Sequence, residues 1–263
     1  MERKVKRKEL KELFSYREMF YNLVKKDLRT RYKGSFLGFL WTFVNPLLQL
    51  IVYSLVFSII MPVDVDKYYI YLFVALIPWI FFTTSLQAGS TSILLGKDLV
   101  KKVYFPRLIM PLSVVGAAFM NMVFSMGVVF VVLAVSGLGF SGDILWLPVI
   151  MFLELLLAMG LAFICSALNI YFRDLEHILG IVTMAWFYLT PIVYTIDMVP
   201  ERYMRLYMLN PMTPIISAYR DILYYKQAPN LSSLSGIFVW SIIIIVIGYL
   251  IFQKLQKHFV EEL

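Results

Sequence analysis

The sequence predicts an all-α integral membrane protein with six transmembrane helices. Hydrophobic residues make up 60% of the chain and charged residues 16%, whereas a soluble domain typically carries about 25% charge. Apolar runs of the length that a membrane crossing needs, about 20 residues, recur along the chain. The predicted spans are residues 36–61, 68–90, 108–137, 144–172, 178–196 and 234–253, and Pro191 breaks the end of the fifth.

Basic residues set the predicted orientation of these spans. Half of the 24 Lys and Arg residues precede Gly34, and the loop 91–107 adds four more, whereas the turn 138–143 has none. Because cytoplasmic loops are enriched in Lys and Arg, we predict that both termini and the loop 91–107 are cytoplasmic. We assign the basic charge, with a sequence pI near 9.3, to contact with anionic membrane lipid and not with nucleic acid.

The head of the chain, residues 1–35, is predicted to form a basic amphipathic interface helix. Between Leu10 and Tyr32, apolar residues recur near the helical period, with Lys and Arg between them. Such a helix lies in the membrane plane with its apolar face at the headgroup boundary. Gly34 and Ser35 then let the chain turn into the membrane domain, residues 36–263.

The connection 197–230, between the fifth and sixth spans, is too polar to cross the membrane and too apolar for an ordinary loop. Pro200, Pro211 and Pro214 divide it, which predicts two short helices at about 200–208 and 212–226. We expect a re-entrant outer hairpin, which has to be covered by protein or face a water-filled path. The alternative is a pair of helices lying flat in the interface.

Residues with catalytic or metal-binding chemistry are scarce. His177 and His258 are the two histidines, and neither has a second His or Cys at metal-ligand spacing. Gly96-Lys97-Asp98 lacks the upstream Gly and the Ser or Thr of a phosphate-binding loop. Cys165 is the single cysteine, so an intrachain disulfide is excluded. We therefore expect neither an enzyme nor a cofactor site in this chain.

Glu154 is the candidate functional carboxylate. It lies about ten residues into the fourth span, at a depth where a charge marks a functional site or an ion pair by default. The alternative is a protonated carboxyl that is hydrogen-bonded between helices. Its expected partners, which complete a predicted outer gate, are Arg202, Arg205 and Arg220.

The first span supplies the predicted substrate path. Phe36, Phe39 and Phe43 share one face of the helix. Aromatic rings suit the apolar C–H faces of sugars and tolerate sliding, because they make no fixed hydrogen bonds. Asn45 and Gln49 lie four residues apart, and they are predicted to bond across an interface or to line the path.

Four stretches in order and spacing resemble the permeases of ABC transporters that export cell-surface polysaccharides and polyol-phosphate polymers. The first two are Arg31-Tyr32-Lys33-Gly34-Ser35-x-Leu37-Gly38-x-x-Trp41 followed by Asn45-Pro46-Leu47, and Asn169-x-x-Phe172-Arg173-Asp174. The other two are Thr190-Pro191-Ile192-x-Tyr194, and Asn210-Pro211-Met212-x-Pro214 through Tyr219-Arg220. The resemblance covers nearly the whole chain.

The resemblance implies a half-transporter that forms a homodimer and binds two copies of a separate ATPase subunit, which holds ATP and Mg²⁺. It implies export of a polyprenyl-linked polymer, either O-antigen polysaccharide or wall teichoic acid, across the cytoplasmic membrane of a bacterium. The long basic head and the short outer loops favour teichoic acid.

The resemblance also implies roles for two regions. The loop 91–107 would couple to the ATPase subunit, with docking residues Leu94, Leu95, Leu99, Val100 and Tyr104. The head would be a gate helix, whose bases Arg29, Arg31 and Lys33 attract the diphosphate of the lipid carrier at the entrance.

Three alternatives stay open. A secondary transporter or channel should show several intramembrane charges or an inverted repeat, and a membrane-embedded transferase should show a catalytic cluster. A permease that exports a drug or a lipid is the third. The outer hairpin and the motif at 169–174 favour the polysaccharide exporter.

Overall fold

The computed structural model describes residues 13–60 and 64–263, and the regular elements in those ranges are helical. The head upstream of residue 13, which includes Leu10, lies outside the described residues. In chain order the α-helices are α1 Arg17–Tyr32, α2 Trp41–Leu55, α3 Tyr68–Leu95, α4 Lys97–Lys102, α5 Ile109–Val135, α6 Leu147–Tyr171, α7 Leu175–Tyr188, α8 Glu201–Tyr207, α9 Met212–Arg220, α10 Leu231–Leu255 and α11 Phe259–Glu262.

Five helical segments of the described chain are long and apolar enough to cross a membrane. They are Gly38–Leu55, Tyr68–Leu95, Ile109–Val135, Gly142–Tyr171 and Leu231–His258, and they match the first four predicted spans and the sixth. Their number and composition make the chain a multi-pass membrane protein.

The fifth predicted span, 178–196, is represented by α7, which has only 14 residues. Its length of about 21 Å is less than the roughly 30 Å of a hydrocarbon core. The helix ends at Tyr188, so the prediction extended the helical span too far, and residues 189–194 form turns and bends. Six spans therefore stay a prediction.

Helix α3 forms the centre of the bundle. Its residues from Ile70 to Ile77 are all buried, and it packs against α5 and α6. Gly89 of α3 lies against Ala162 of α6, so closely that a Cβ at Gly89 would stand 2.8 Å from the Ala162 Cβ. Small residues permit this approach of two membrane helices.

Pro46 interrupts the hydrogen-bond ladder of α2. A proline has no N–H to give to the carbonyl four residues earlier, which here belongs to Thr42. The Ser125 hydroxyl of α5 donates to that carbonyl oxygen at 3.3 Å. A neighbouring helix thus supplies a donor to the carbonyl that the proline cannot serve.

A second apolar core lies at the end of the bundle that carries the loop 91–107, called the inner end below. It joins the loop to the ends of α6 and α10 and to α11, through buried residues that include Ile93, Val100, Phe105, Leu108, Ile170, Phe252 and Phe259. The loop is therefore packed onto the bundle along one side.

Helix α1 also packs at the inner end. Phe20 and Val24 contact α5 at Gly116, where a Cβ would stand 3.1 Å from the Phe20 ring. Phe14 and Tyr21 are exposed. Part of the apolar face that was predicted to rest on lipid is thus covered by protein.

Candidate functional site

A basic cleft lies between α1 and the start of the first span. Its volume is about 890 Å³, and its lining residues are Asn22, Lys25, Lys26, Leu28, Arg29, Thr30, Lys33, Gly38 and Phe39. Arg29 and Lys33 are predicted entrance residues, while the side chain of Arg31 lies outside the described part. None of these lining residues is acidic, so the cleft attracts anions.

Lys25 and Lys26 are entrance residues that the sequence prediction missed. Both are exposed on α1, in the turn before Arg29, and both line the cleft. Their position three and four residues before Arg29 is the signal that would have found them, because residues at this spacing share a helix face.

The predicted aromatic path begins at the mouth of this cleft. Phe36 is fully exposed, and Phe39 is partly exposed. The Phe39 ring meets the rings of Phe43 and Phe124 edge-on, with centroids 5.4 and 5.3 Å away. Phe43 is half-buried. Phe36 lies in the bend before the short 3-10 turn Gly38–Leu40, so it does not share a helix face with Phe39 and Phe43 as predicted.

Asn45 and Gln49 are both exposed on α2. Asn45 also borders a small polar cavity of about 140 Å³ between α2, α3 and α5, which includes Thr42, Thr84, Asn121 and Ser125. Amide side chains are costly toward hydrocarbon. Their exposure indicates that this face of α2 meets water or protein.

The residues of the loop 91–107 that are predicted to dock an ATPase subunit fall into three groups by burial. Leu95 is 84% exposed and Tyr104 is 82% exposed. Leu94 and Leu99 are half-buried, and Val100 is buried in the inner core. The structure thus leaves Leu95 and Tyr104 available to a partner, whereas Val100 holds α4 against the bundle.

Glu154 of α6 is fully buried, and its partner is a tyrosine. The Tyr219 hydroxyl of α9 donates to Glu154 Oε2 at 2.7 Å, and Glu154 Oε1 has no hydrogen-bond partner among the residues that the structure describes. This contact replaces the expected ion pair with an arginine. Sequence could not show it, because the two residues are far apart along the chain and any hydroxyl of the outer segment could serve.

Arg220 is buried, with 3% of its surface exposed, and backbone carbonyls surround its guanidinium. It donates to the carbonyl oxygens of Pro191, Ile192 and Tyr71, and its Cζ lies 3.5 Å from the centroid of the Tyr71 ring. Carbonyl oxygens and an aromatic face both stabilise a buried cation. Arg220 thus clamps the turn after α7 to α3 and α9.

The other two gate arginines lie outside this cluster. Arg202 and Arg205 are exposed on α8, which has no buried residue. The Arg202 guanidinium lies 4.6 Å from the Tyr203 ring. Of the predicted gate residues, Glu154 and Arg220 are therefore the two buried in the bundle: Glu154 lies on α6 and contacts α9 through Tyr219, and Arg220 ends α9.

Two asparagines of the quoted motifs connect separate helices. Asn210 donates from Nδ2 to the Leu189 carbonyl and the Thr190 hydroxyl, and its Oδ1 accepts from Trp186 Nε1 at 2.8 Å. Asn169 is buried and donates to the Ser90 carbonyl of α3 at 3.1 Å. Asn210 thus fixes the end of α7 against the start of α9, and Asn169 fixes α6 against α3 near the inner end.

A further cleft, missed at the sequence level, lies between α3 and α7. It has a volume of about 490 Å³ and includes Gln87, Thr91, Glu176 and His177. Gln87 Nε2 donates to the Thr183 hydroxyl at 3.2 Å. The amide of Gln87 within the second predicted span was the signal that would have identified it.

His, Cys, Asp and Glu side chains of the described residues form no group of three or more that could hold a metal ion. What the described site offers is a basic cleft, an aromatic pair (Phe39 and Phe43) at the start of the first span, exposed amides on the opposite face of α2, an exposed apolar loop surface and a buried polar contact at the opposite end. Together with the five long apolar helices, these features define a polytopic membrane protein.

Comparison with known proteins gives the family. The chain matches the ABC-2 type transporter family over residues 18–224. It is 34% identical over 256 residues to the O-antigen export system permease protein RfbA of Myxococcus xanthus, which covers 97% of this chain and 98% of that protein. It is 35% identical over 242 residues to a protein of the same name from Klebsiella pneumoniae, with 92% and 93% covered. The chain belongs to the ABC-2 type transporter family.

Proposed function

We propose that this protein is the permease subunit of an ABC exporter that moves a lipid-linked cell-surface polysaccharide across the cytoplasmic membrane. The observation that carries the proposal is the basic cleft of Arg29 and Lys33, which opens onto Phe39 and its ring partner Phe43 at the start of the first span. The cations bind the diphosphate of a polyprenyl carrier, and the rings receive the sugars that follow it.

The relatives support a polysaccharide as the substrate. Two are named as O-antigen export permeases, and each is matched over more than nine-tenths of its length. We therefore propose an O-antigen-type polymer as the substrate. Wall teichoic acid is the second candidate, because only the long basic head and the short outer loops favour it.

The proposed assembly is a homodimer with two copies of a separate ATPase subunit. ATP and Mg²⁺ bind in that subunit, and the permease itself hydrolyses nothing. Exposed Asn45 and Gln49 support a pathway built between two copies, because this face of α2 needs water or protein against it. Exposed Leu95 and Tyr104 support docking of the ATPase on the loop 91–107.

The proposed topology has six spans with cytoplasmic termini. Helix α7 is the fifth span, and residues 189–195 with the outer segment complete its crossing. Burial of α9 among α3, α6 and α10 supports a re-entrant segment over a helix lying flat on the surface. Helix α1 is proposed to lie at the cytoplasmic interface and to gate the cleft.

Reconstitution tests the function. The full chain, placed in proteoliposomes with its ATPase subunit, should move a fluorescent polyprenyl-diphosphate-linked glycan only when ATP is present. The chain alone should show no ATP hydrolysis. Parallel arms with a polyol-phosphate polymer and with an apolar drug separate the alternatives. Movement of the drug with no movement of either polymer would refute the proposal.

Replacement of the entrance bases tests the cleft directly, and replacement of two other exposed bases is the matched control. Changing Arg29 and Lys33 together to glutamine should reduce glycan movement at least tenfold, because the cleft loses part of its attraction for the diphosphate. Changing the exposed bases Lys254 and Lys257 to glutamine removes the same charge outside the cleft and should leave glycan movement unchanged.

A further inference from the structure

We propose that α6 and α10 form one rigid transmission unit that connects the loop 91–107 to the outer segment 197–230. Arg107 and Tyr219 are its positioning residues, one at each end. The proposal rests on the exporter function given above, because a transmission unit needs an ATPase on the loop and a gate in the outer segment. It concerns how a change at one end of the bundle reaches the other.

The inner contact joins the loop to the end of α10. Arg107 Nη1 donates to the Gln256 carbonyl, and the Arg107 guanidinium lies 5.9 Å from the Phe259 ring. The Tyr171 hydroxyl at the end of α6 donates to the Leu255 carbonyl at 2.9 Å. The last carbonyls of a helix have no partner within it, so these two side chains cap α10.

Phe259 anchors this contact. Its side chain is fully buried, and its ring meets the rings of Phe252 and Tyr171, with centroids 5.5 and 6.4 Å away. These residues belong to the same apolar core as Val100 and Phe105 of the loop. A displacement of the loop must therefore move the end of α10 with it or break a packed core.

The middle of the unit is an interlocked pair of backbones. A Cβ at Gly248 would overlap the Gly160 carbonyl, and a Cβ at Gly160 would stand 2.6 Å from the Ile245 nitrogen. Further toward the outer end, the Ser241 hydroxyl donates to the Leu153 carbonyl at 3.0 Å. Helices in such contact cannot slide past each other without a clash, so they move together.

The outer contact begins one residue after Leu153. Glu154 accepts from the Tyr219 hydroxyl, and neighbouring Arg220 holds the carbonyls of Pro191 and Ile192. A shift of α6 at Glu154 thus reaches both α9 and the turn after α7. From Tyr171 to Glu154 the unit is about 25 Å long at about 1.5 Å per residue.

Hydrogen exchange tests the unit without any transport. In the full chain in lipid nanodiscs, Arg107→Gln should raise the exchange rates of amides in 212–225 at least threefold. The matched control is Ser125→Ala, which removes a buried donor on α5, outside the unit, and should leave exchange at 212–225 unchanged. A response to Arg107→Gln that stays within 97–110 and 250–263 would overturn the proposal.

A double-mutant cycle in the reconstituted exporter gives the second test. Arg107→Gln and Tyr219→Phe should each lower polymer moved per ATP hydrolysed about fivefold, and the double variant should be no worse than the poorer single. The melting temperatures should change additively, because the residues are far apart with no shared partner. If the double variant instead shows the product of the two fivefold losses in polymer moved per ATP, the two residues act independently and the transmission unit is refuted.

The two proposals can fail separately. A wild-type complex that moves no polymer refutes the exporter function, and the exchange experiment still decides whether α6 and α10 connect the two ends. If Arg107→Gln does not fold, Arg107→Lys replaces it, since a lysine keeps the charge but loses the forked geometry of the guanidinium. It should show the same remote exchange response at reduced size.

Discussion

Gly160 of α6 and Gly248 of α10 face each other so closely that neither has room for a side chain. Close backbone approach of this kind drives helix association in membranes, where no hydrophobic force acts between apolar helices. The pair lies in the most extensive helix contact of the described bundle, and it fixes the position of Glu154 relative to the last membrane helix.

Gly248→Ala should therefore destabilise the protein, because the new Cβ overlaps the Gly160 carbonyl and forces the helices apart. We expect a loss of about 1–3 kcal/mol, typical of overpacking, measured by thermal unfolding in detergent. Gly236→Ala on the same helix is the control, since no atom lies within 4 Å of its new Cβ. Equal melting temperatures for the two variants would contradict the packing described.

The kink at Pro46 gives a second prediction. Ser125→Ala removes the hydroxyl that satisfies the Thr42 carbonyl, and should cost roughly 0.6–1.7 kcal/mol, the range of hydrogen bonds between membrane helices. In a Pro46→Ala background the same change should cost less, because the substituted alanine supplies a backbone N–H for that carbonyl. Equal cost in both backgrounds, measured by thermal unfolding, would show that the hydroxyl serves another group.

Sequence predicted what depends on local pattern. Five spans were found because a continuous apolar run of sufficient length is enough to identify a membrane helix. The two short outer helices were also predicted, because prolines delimit them. The structure has them as Glu201–Tyr207 and Met212–Arg220, and the second continues in one turn of π-helix to Tyr225.

Contacts across the bundle could not be predicted in the same way. Pro191 indicated that the fifth span is broken near its end, but the contacts that hold this end come from Asn210, which follows Tyr188 by more than 20 residues. The tyrosine partner of Glu154 and the carbonyl cage of Arg220 depend on how α9 enters the bundle. Amphipathicity predicted an apolar face on α1, but it could not show that α5 covers part of that face.

The loop 91–107 gives a prediction that separates docking from folding. Leu95→Glu and Tyr104→Glu should leave the melting temperature unchanged, since both side chains are exposed, but should reduce stimulation of the partner's ATP hydrolysis at least fivefold. Val100→Glu should instead lower the melting temperature, because it places a charge in the inner core. ATPase stimulation that survives in Leu95→Glu and Tyr104→Glu would remove the loop from the proposed interface.

Arg220 gives a prediction about the outer segment. Arg220→Lys keeps the charge but cannot reach three carbonyls at once, so at least one of the carbonyls of Pro191, Ile192 and Tyr71 loses its donor. We expect a loss of about 2 kcal/mol in unfolding free energy. Arg202→Lys on exposed α8 is the control and should have no effect. A stable Arg220→Lys variant would show that the clamp contributes little.

The aromatic pair Phe39 and Phe43, at the start of the first span, gives a prediction about the substrate. Phe39→Ala together with Phe43→Ala should reduce glycan export at least tenfold, because the sugars lose the rings they pass along. Phe39→Tyr with Phe43→Tyr should retain most export, since both keep an aromatic face. Phe238 is an exposed phenylalanine of α10, so Phe238→Ala is the control for lost apolar surface and should leave export unchanged. The measurement is the rate of ATP-dependent glycan movement in proteoliposomes, with ATP hydrolysis followed in parallel. Full export by the double alanine variant, with hydrolysis unchanged, would place the sugar path on another helix.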